Sequence, residues 1–427
     1  MNTTLRLFRD ILSIKDLRKK IGFVFLMLFL YKVGTYVVVP GIDSSLLDNL
    51  SKQGGMLGFA NMLSGGALQR FSIFALGIVP YITASIVVQL LQMDVVPKLA
   101  EWNKQGEKGK KKTKRLTRYL AIILALVQSF GMAFSFNTMF PGLVTNPTVK
   151  TYIIISLVIT LGTVILMVMG ELIDKKGIGQ GMSIMITAGI AMGIPSAAYS
   201  YYVTDIQGVE NVFIAILKTV LLLIFVALLI VGIIYVQRAE RRVSIKYPNQ
   251  NMGTQTSTLP IKINSAGVIP VIFSVSILMF PTTIAQFFKD SEVAQFVIKY
   301  FNYTHPVGMA FYAIMIILFA YFYAFVQMSP EKIAENLKKS GGFIPGIRPG
   351  KSTEDYISKI LSRLTLIGAL FLTFLSITPM IIGKITALPP QIQIGGTSLI
   401  IIVGVALDVA SRVNSYLIDR KYDSFLK

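Results

Sequence analysis

The sequence predicts an all-α polytopic membrane protein with ten transmembrane helices, and three observations predict it. Of 427 residues, 53% are hydrophobic and only 15% charged, where soluble domains average roughly 25% charged. Mean hydropathy is +0.65, so the apolar surface needs lipid to cover it. The apolar residues gather in ten runs, most of them near the length of about 20 residues that crosses a hydrocarbon core of about 30 Å. Finally, the net charge of +20 is sorted by loop.

The spans are expected at 21–39, 71–92, 119–139, 151–170, 182–201, 212–236, 266–288, 307–327, 363–383 and 396–412. The fifth and tenth are rich in small residues and broken by Gly, which membrane helices tolerate where neighbours cover the backbone. The N-terminal segment, the loops after spans two, four, six and eight, and the tail hold 33 of the 41 Lys and Arg. The five intervening loops hold six, and Lys32 and Lys218 lie near span ends, where long stems snorkel. Cytoplasmic loops carry such an excess, so both termini are expected in the cytoplasm. The first span follows a charged stretch without an A-x-A site and is expected to stay as a helix.

Composition also excludes chemistry. With no Cys there are no disulfides, thiolate nucleophiles or Cys-ligated metal sites, and His305 alone cannot build a His-rich one. No catalytic residues, metal or cofactor are expected. Gly106, Gly109 and Lys110 fail the spacing of a phosphate-binding loop, so energy must come from a docked partner or the membrane potential.

Two segments fall outside the spans. Residues 1–20 place Leu5, Phe8, Ile11 and Leu12 on one helical face and basic residues on the other, the pattern of an interfacial helix. Residues 54–68 are too short and glycine-rich to span. They form either a loop packed on the exterior or a re-entrant element. The remaining organisation reads as an N-terminal half at 21–210, a C-terminal half at 211–412 with long basic loops at 237–265 and 328–362, and a tail at 413–427.

The halves carry matched motifs. Gly77-Ile78-Val79-Pro80-Tyr81-Ile82 in span two corresponds to Gly267-Val268-Ile269-Pro270-Val271-Ile272 in span seven. Gly181-Met182-Ser183-Ile184-Met185-Ile186 opens span five, as Gly396-Thr397-Ser398-Leu399-Ile400-Ile401 opens span ten. Both pairs lie five spans apart and cross in opposite directions, the signature of inverted halves with a pathway at their interface. Ile82, Ile272, Ile186 and Ile401 are candidates to meet there, or else ordinary packing positions.

A secondary transporter of a small solute is one function such repeats serve. Transporters of ions and protons keep ionisable residues deep in the membrane. Here Asp94, Glu171 and Asp174 lie at span ends, and Asp408 is near the end of span ten. A constriction ringed by Ile suits a pore that blocks ions by dewetting. The loop after span eight, SPEKIAENLKKSGGFIPGIRPGKSTEDY, has its own helix-like stretch and turn, and loops that long are often functional.

The segments RFSIFALGIVPYITASIVVQLLQMD, EWNKQGEKG, LPIKINSAGVIPVIF, SPEKIAENLKKSG, PGIRPGKSTEDY and IGGTSLIIIVGVALD resemble the SecY family, channel subunits of the bacterial protein-export translocon. The resemblance runs along nearly the whole chain. It implies a clamshell opening sideways between spans two/three and seven/eight, in the bacterial cytoplasmic membrane. It implies a pore ring of Ile78, Ile82, Ile186, Ile190, Ile272 and Ile401, and a plug containing Met56, Leu57, Phe59, Met62 and Leu63. Polar gate positions fall on Gln128 and Ser276. Arg348 matches the arginine needed for work with the SecA motor, and Arg238, Arg241 and Arg242 match basic positions used against ribosome or motor. Implied partners are SecE, SecG, the SecA ATPase, the ribosome with its RNA, signal peptides, unfolded preproteins and lipid. The tip YPNQNMGTQTS lacks the usual further basic cluster, and Gln180 stands where the family mostly has Asn. An accessory SecY for special cargo is the alternative within the family.

Overall fold

The computed structural model describes residues 14–44, 46–47, 61–92, 96–207, 212–249, 253–285, 288, 291–301, 305–386 and 395–425. Its helices are α1 (Lys15–Gly34), α2 (Val79–Leu91), α3 (Pro97–Lys104), α4 (Gly106–Met139), α5 (Val149–Lys176), α6 (Gly181–Tyr201), α7 (Val212–Arg238), α8 (Ile269–Ala285), α9 (Glu292–Tyr300), α10 (Pro306–Gln327), α11 (Pro330–Lys339), α12 (Lys351–Thr386) and α13 (Gly395–Phe425). Ten of them, all but α3, α9 and α11, fall on the ten expected spans. Seven of those described are long and apolar enough to cross a bilayer unaided, so the chain is a multi-pass membrane protein. The boundary expected between the halves, at 210/211, and residues 1–13 of the expected interfacial helix lie outside the described residues.

Local chemistry sets the helix ends. Thr148 accepts a hydrogen bond from the Thr151 N–H at 3.3 Å and His305 Nδ1 one from the Val307 N–H, also at 3.3 Å, capping α5 and α10. Pro306 and Pro330 sit at the starts of α10 and α11, where a missing N–H costs nothing. Lys175 and Lys176 complement the carbonyl end of α5, which Gly177 terminates.

Two span expectations need correction. Residues 71–78 and 266–268, read as helix in spans two and seven, are turns; α2 starts only at Val79 and α8 at Ile269. The cause is shared. Gly77 (φ +57°) and Gly267 (φ +66°) adopt the left-handed conformation, which a right-handed helix excludes, and each is followed two residues later by a helix whose second residue is Pro. The repeat is thus one of backbone conformation as well as of residue type.

Packing adds a third matched pair. A Cβ on Gly162 of α5 would collide with the carbonyl oxygen of Ile73, and one on Gly368 of α12 with that of Ile263. Ile73 precedes Gly77 by the same interval as Ile263 precedes Gly267. In both halves a glycine of the fourth span, on α5 or α12, lets the turn before the second span's helix, α2 or α8, pack directly on it.

Beyond isolated bridges, the one sheet among the described residues is a hairpin in the loop after α7. β1 (Glu240–Asn249) pairs antiparallel with β2 (Gly253–Lys262). Lys246 exchanges backbone hydrogen bonds with Phe343 at 2.9 and 3.0 Å, stitching the hairpin to the loop after α10. Val243, Ile245, Ile261, Leu337, Ile344 and Ile357 fill a core between the two loops. At the other end of the basic face, α13 continues beyond its span and packs Val413 and Leu417 on Leu17 of α1, while the Tyr416 hydroxyl donates to Asp16.

The glycine contacts are testable. Gly162→Ala or Gly368→Ala should each lower stability in detergent by about 1–3 kcal/mol, the usual cost of overpacking, although Ala is the better helix former. Gly232→Ala meets only Phe371, at 3.9 Å, and should leave the unfolding midpoint unchanged or raised. Thermal scanning fluorimetry of the three variants checks this.

Candidate functional site

The functional geometry is a cavity, an apolar waist and a re-entrant segment, stacked along the interface of the halves. The cavity, of about 700 Å³, opens toward the basic loops. Gln180, Ser183, Gln237, Asn264 and Ser265 give it polar walls, with Arg238, Glu240, Lys262 and Asp408 also lining it. Asp408 is half-spent on Arg412, at 2.9 Å one turn along α13.

The floor of this cavity includes Ile186, Ile272 and Ile401. These three share one cluster with Ile78, Ile82 and Ile190; five of the six are buried and Ile272 is partly so. α6 leaves the basic face and α13 approaches it, so Ile186 and Ile401 reach the same level from opposite directions. One turn further from the cavity, Gly189 and Gly193 on α6 and Ser398 on α13 face residues 62–63. The Ser398 hydroxyl lies 3.4 Å from the Met62 sulfur, and a Cβ on Gly193 would lie 3.3 Å from Met62 Cγ. Gly189 admits the Leu63 backbone. Leu63, Ser64, Ala67 and Leu68 are buried, so residues 61–68 are re-entrant rather than draped outside. Ser64 closes their turn, its hydroxyl donating to the Asn61 carbonyl at 2.9 Å and accepting from the Leu68 N–H at 3.2 Å. Met56, Leu57 and Phe59 lie outside the described residues.

Helices α2 and α4 both contact α8 across the seam between the halves. Ser276 is buried on α8 and donates to the Ile272 carbonyl at 2.9 Å; Gln128 is half-buried on α4. Among the described residues no hydrogen bond joins these two. On α2, Gln89 donates to Ser85 at 3.0 Å while its carbonyl oxygen is buried without a protein partner. Arg118 Nη2 of α4 donates to both carboxylate oxygens of Glu171 of α5, at 2.6 and 2.8 Å, a charge-assisted contact that ties one helix of the seam to its own half. Lys114 and Asp174 extend the cluster, and Asp174 accepts from the Gly181 N–H at 2.7 Å at the start of α6.

The basic residues lie apart from the waist. Arg238, Arg241 and Arg242 are exposed at the end of α7 and on β1, with Arg242 donating to Glu240 at 2.9 Å. Arg348 is exposed in a turn between Gly346 (φ +81°) and Gly350 (φ +105°), and the Thr353 hydroxyl holds its carbonyl oxygen at 2.9 Å. On nearby α11, the ammonium of Lys339 at 2.7 Å holds the Glu335 carboxyl below its usual range by hydrogen bond and charge. Among the described residues no cluster could hold a metal ion. Sequence reasoning missed Gln237, Asn264, Gly189 and Gly193. Gly189 had a signal, since Gly189 and Gly404 both stand eight residues beyond the matched Gly181 and Gly396.

The SecY family model matches residues 72–410. The chain belongs to the SecY family. It is 50% identical over 429 residues to the protein translocase subunit SecY of Halalkalibacterium halodurans, covering 99% of this chain and 100% of that one. It is 48% identical to the subunit of the same name from Bacillus subtilis, with 98% of each covered. Among solved structures, one titled as a protein conducting channel superposes with a TM-score of 0.65 at 18% identity, over 93% of this chain and 92% of that one. The Sec61 chain of a canine ribosome–channel complex superposes at 0.60 and 17% identity, with the same coverage. At such identity the likeness concerns the SecY fold alone.

Changing Ile82 and Ile272 together to Gly should open and wet the waist and raise resting ion conductance several-fold, because a narrow apolar passage excludes ions by dewetting. Planar-bilayer recordings check this. Unchanged conductance at normal expression would mean that the two residues only pack.

Proposed function

We infer that this chain is the central protein-conducting channel subunit of a bacterial Sec translocase. It passes unfolded preproteins across the cytoplasmic membrane and releases apolar segments sideways between α2/α4 and α8/α10. The observation that carries this reading is the isoleucine waist between a polar cavity and a re-entrant segment, in a chain about half identical to named SecY translocase subunits along their full length. A selective solute site needs fixed polar ligands at the midplane. A ring of flexible alkyl side chains instead gives way to any extended chain and closes behind it.

On this reading Ile78, Ile82, Ile186, Ile190, Ile272 and Ile401 form the pore ring, and Met62 and Leu63 belong to the plug at 54–68. Gln128 and Ser276 lie along the gate. The basic face is cytoplasmic, with both termini there. The halves are 21–210 and 211–412, and the platform built by the loops at 237–265 and 328–362 is the docking surface for the SecA ATPase and the ribosome. SecE and SecG complete the channel. The protein supplies no reaction of its own, and its motor supplies the energy. Reconstitution into liposomes tests the whole: ATP- and motor-dependent protection of a secretory precursor is expected, and saturable uptake of a solute without it would overturn the reading.

Arg348 gives the sharpest local test. Pro349 biases it toward an extended conformation, and the bond from Thr353 holds its carbonyl while the guanidinium stays exposed. A guanidinium presents a planar fork of donors that Lys lacks. Arg348→Lys should already reduce ATP-driven export, and Arg348→Glu should nearly abolish it, while ribosome-driven membrane insertion stays largely intact. Equal loss of both routes, or of neither, in a paired export and insertion assay would remove Arg348 from motor docking.

A further inference from the structure

The short helix α9, between α8 and α10 on the face opposite the basic loops, has more apolar surface than its packing uses. At 100° per residue its side chains sort into three stripes. Ala294, Val297, Ile298 and Phe301 turn toward the protein; Ala294 is buried and the others are half-buried. Glu292, Gln295 and Lys299 form a polar stripe and are all exposed. The third stripe is Val293, Phe296 and Tyr300. It is apolar, yet Val293 is 72% and Phe296 57% exposed.

We propose that this third stripe is a membrane anchor, seated in the boundary between headgroups and acyl chains of the leaflet opposite the basic loops. Three features select lipid as the occupant. The stripe continues the lipid-facing surface of the adjoining spans, where Ile284 at the end of α8 and Val307 at the start of α10 are 44% and 54% exposed. It adjoins a polar stripe about a third of a turn away, so one orientation satisfies protein, water and lipid together. And its chemistry is that of the interface. Phe296 packs on Tyr300 with ring centroids 4.5 Å apart and the planes tilted by 39°, Tyr300 meets His305 edge-on at 4.9 Å, and the Lys299 ammonium lies 5.4 Å from the Tyr300 ring. Aromatic rings with a neighbouring cation suit headgroup depth. Because α9 joins α8 to α10, the anchor ties the ends of both to one depth in the bilayer.

The sequence offers a clean reporter, since Trp102 is its single tryptophan. Phe296→Trp in a Trp102→Phe background places one indole on the stripe, and Gln295→Trp in the same background places one on the polar face. Val293→Trp guards against a local fault at 296. Each full-length protein is reconstituted in phosphatidylcholine vesicles with and without lipid brominated at the headgroup end of its acyl chains. The reporters at 296 and 293 should lose most of their emission to bromine, and the one at 295 little. If 296 and 293 are unquenched and emit like indole in water, the stripe faces solvent and the proposal fails. If they are unquenched but blue-shifted, another protein surface covers the stripe, and it fails equally. Neither readout depends on translocation, so the anchor and the channel reading stand or fall separately.

Discussion

Lipid offers no hydrogen bonds, so every stretch of irregular backbone at membrane depth must be enclosed by protein. The rest of this structure depends on that constraint. α2 and α8 have 13 and 17 residues, about 20 and 25 Å of helix, short of a full crossing. What precedes each is a turn inside the bundle. The turn at 64–78 meets its obligations locally and against residues 37–39: the Ile73 N–H donates to the Val37 carbonyl at 3.0 Å and Val39 to Phe71 at 3.1 Å. Gly162 and Gly368 bring a helix close enough to seal each turn from lipid. Beside these two short helices lies the cavity at the centre of the bundle, which Ile269 and Ile272 of α8 help to line.

The central space is divided chemically. Amide and hydroxyl side chains line the basic side, isoleucines close the middle, and the end of the re-entrant segment rests on α6 and α13 beyond. Those contacts are weak and small: a thioether against a hydroxyl, and backbone against glycine. Met62 and Leu63 also pack in the central apolar cluster, and the Met62 carbonyl accepts from the Gly65 N–H at 3.0 Å; among the described residues no salt bridge holds either. The firm interactions lie elsewhere. The Arg118–Glu171 ion pair and the Asp174 cap bind α4, α5 and α6 into one unit, on one side of the seam where α2 and α4 meet α8.

The basic loops obey a different rule, because water can satisfy them. They fold nevertheless, around an apolar core contributed by the hairpin, α11 and the start of α12. A folded platform presents Arg348 at a defined place, with glycines on either side of the turn and its carbonyl tied to Thr353.

How much of this was legible in the sequence follows from the range of each interaction. Span number and order, the sorting of Lys and Arg by loop, and the repeat of Gly77–Ile82 in Gly267–Ile272 rest on hydropathy and local motifs, which the chain states residue by residue. The six isoleucines were named from motif and resemblance. The helix starts at Val79 and Ile269 were missed because an apolar run reads the same whether coiled or turned, and only the positive φ at Gly77 and Gly267 separates the two. The hairpin was missed although Val243, Ile245 and Tyr247 alternate on β1, because YPNQNMGTQTS carries no apolar alternation into β2. The glycine contacts, the Arg118–Glu171 ion pair and the unused stripe on α9 join residues distant in the chain, or depend on which face a neighbour covers. By itself the sequence determined that the chain crosses the membrane ten times in two related halves. Only the tertiary structure decided where the backbone leaves the helix and which apolar faces meet protein, because those are settled by contact across the fold.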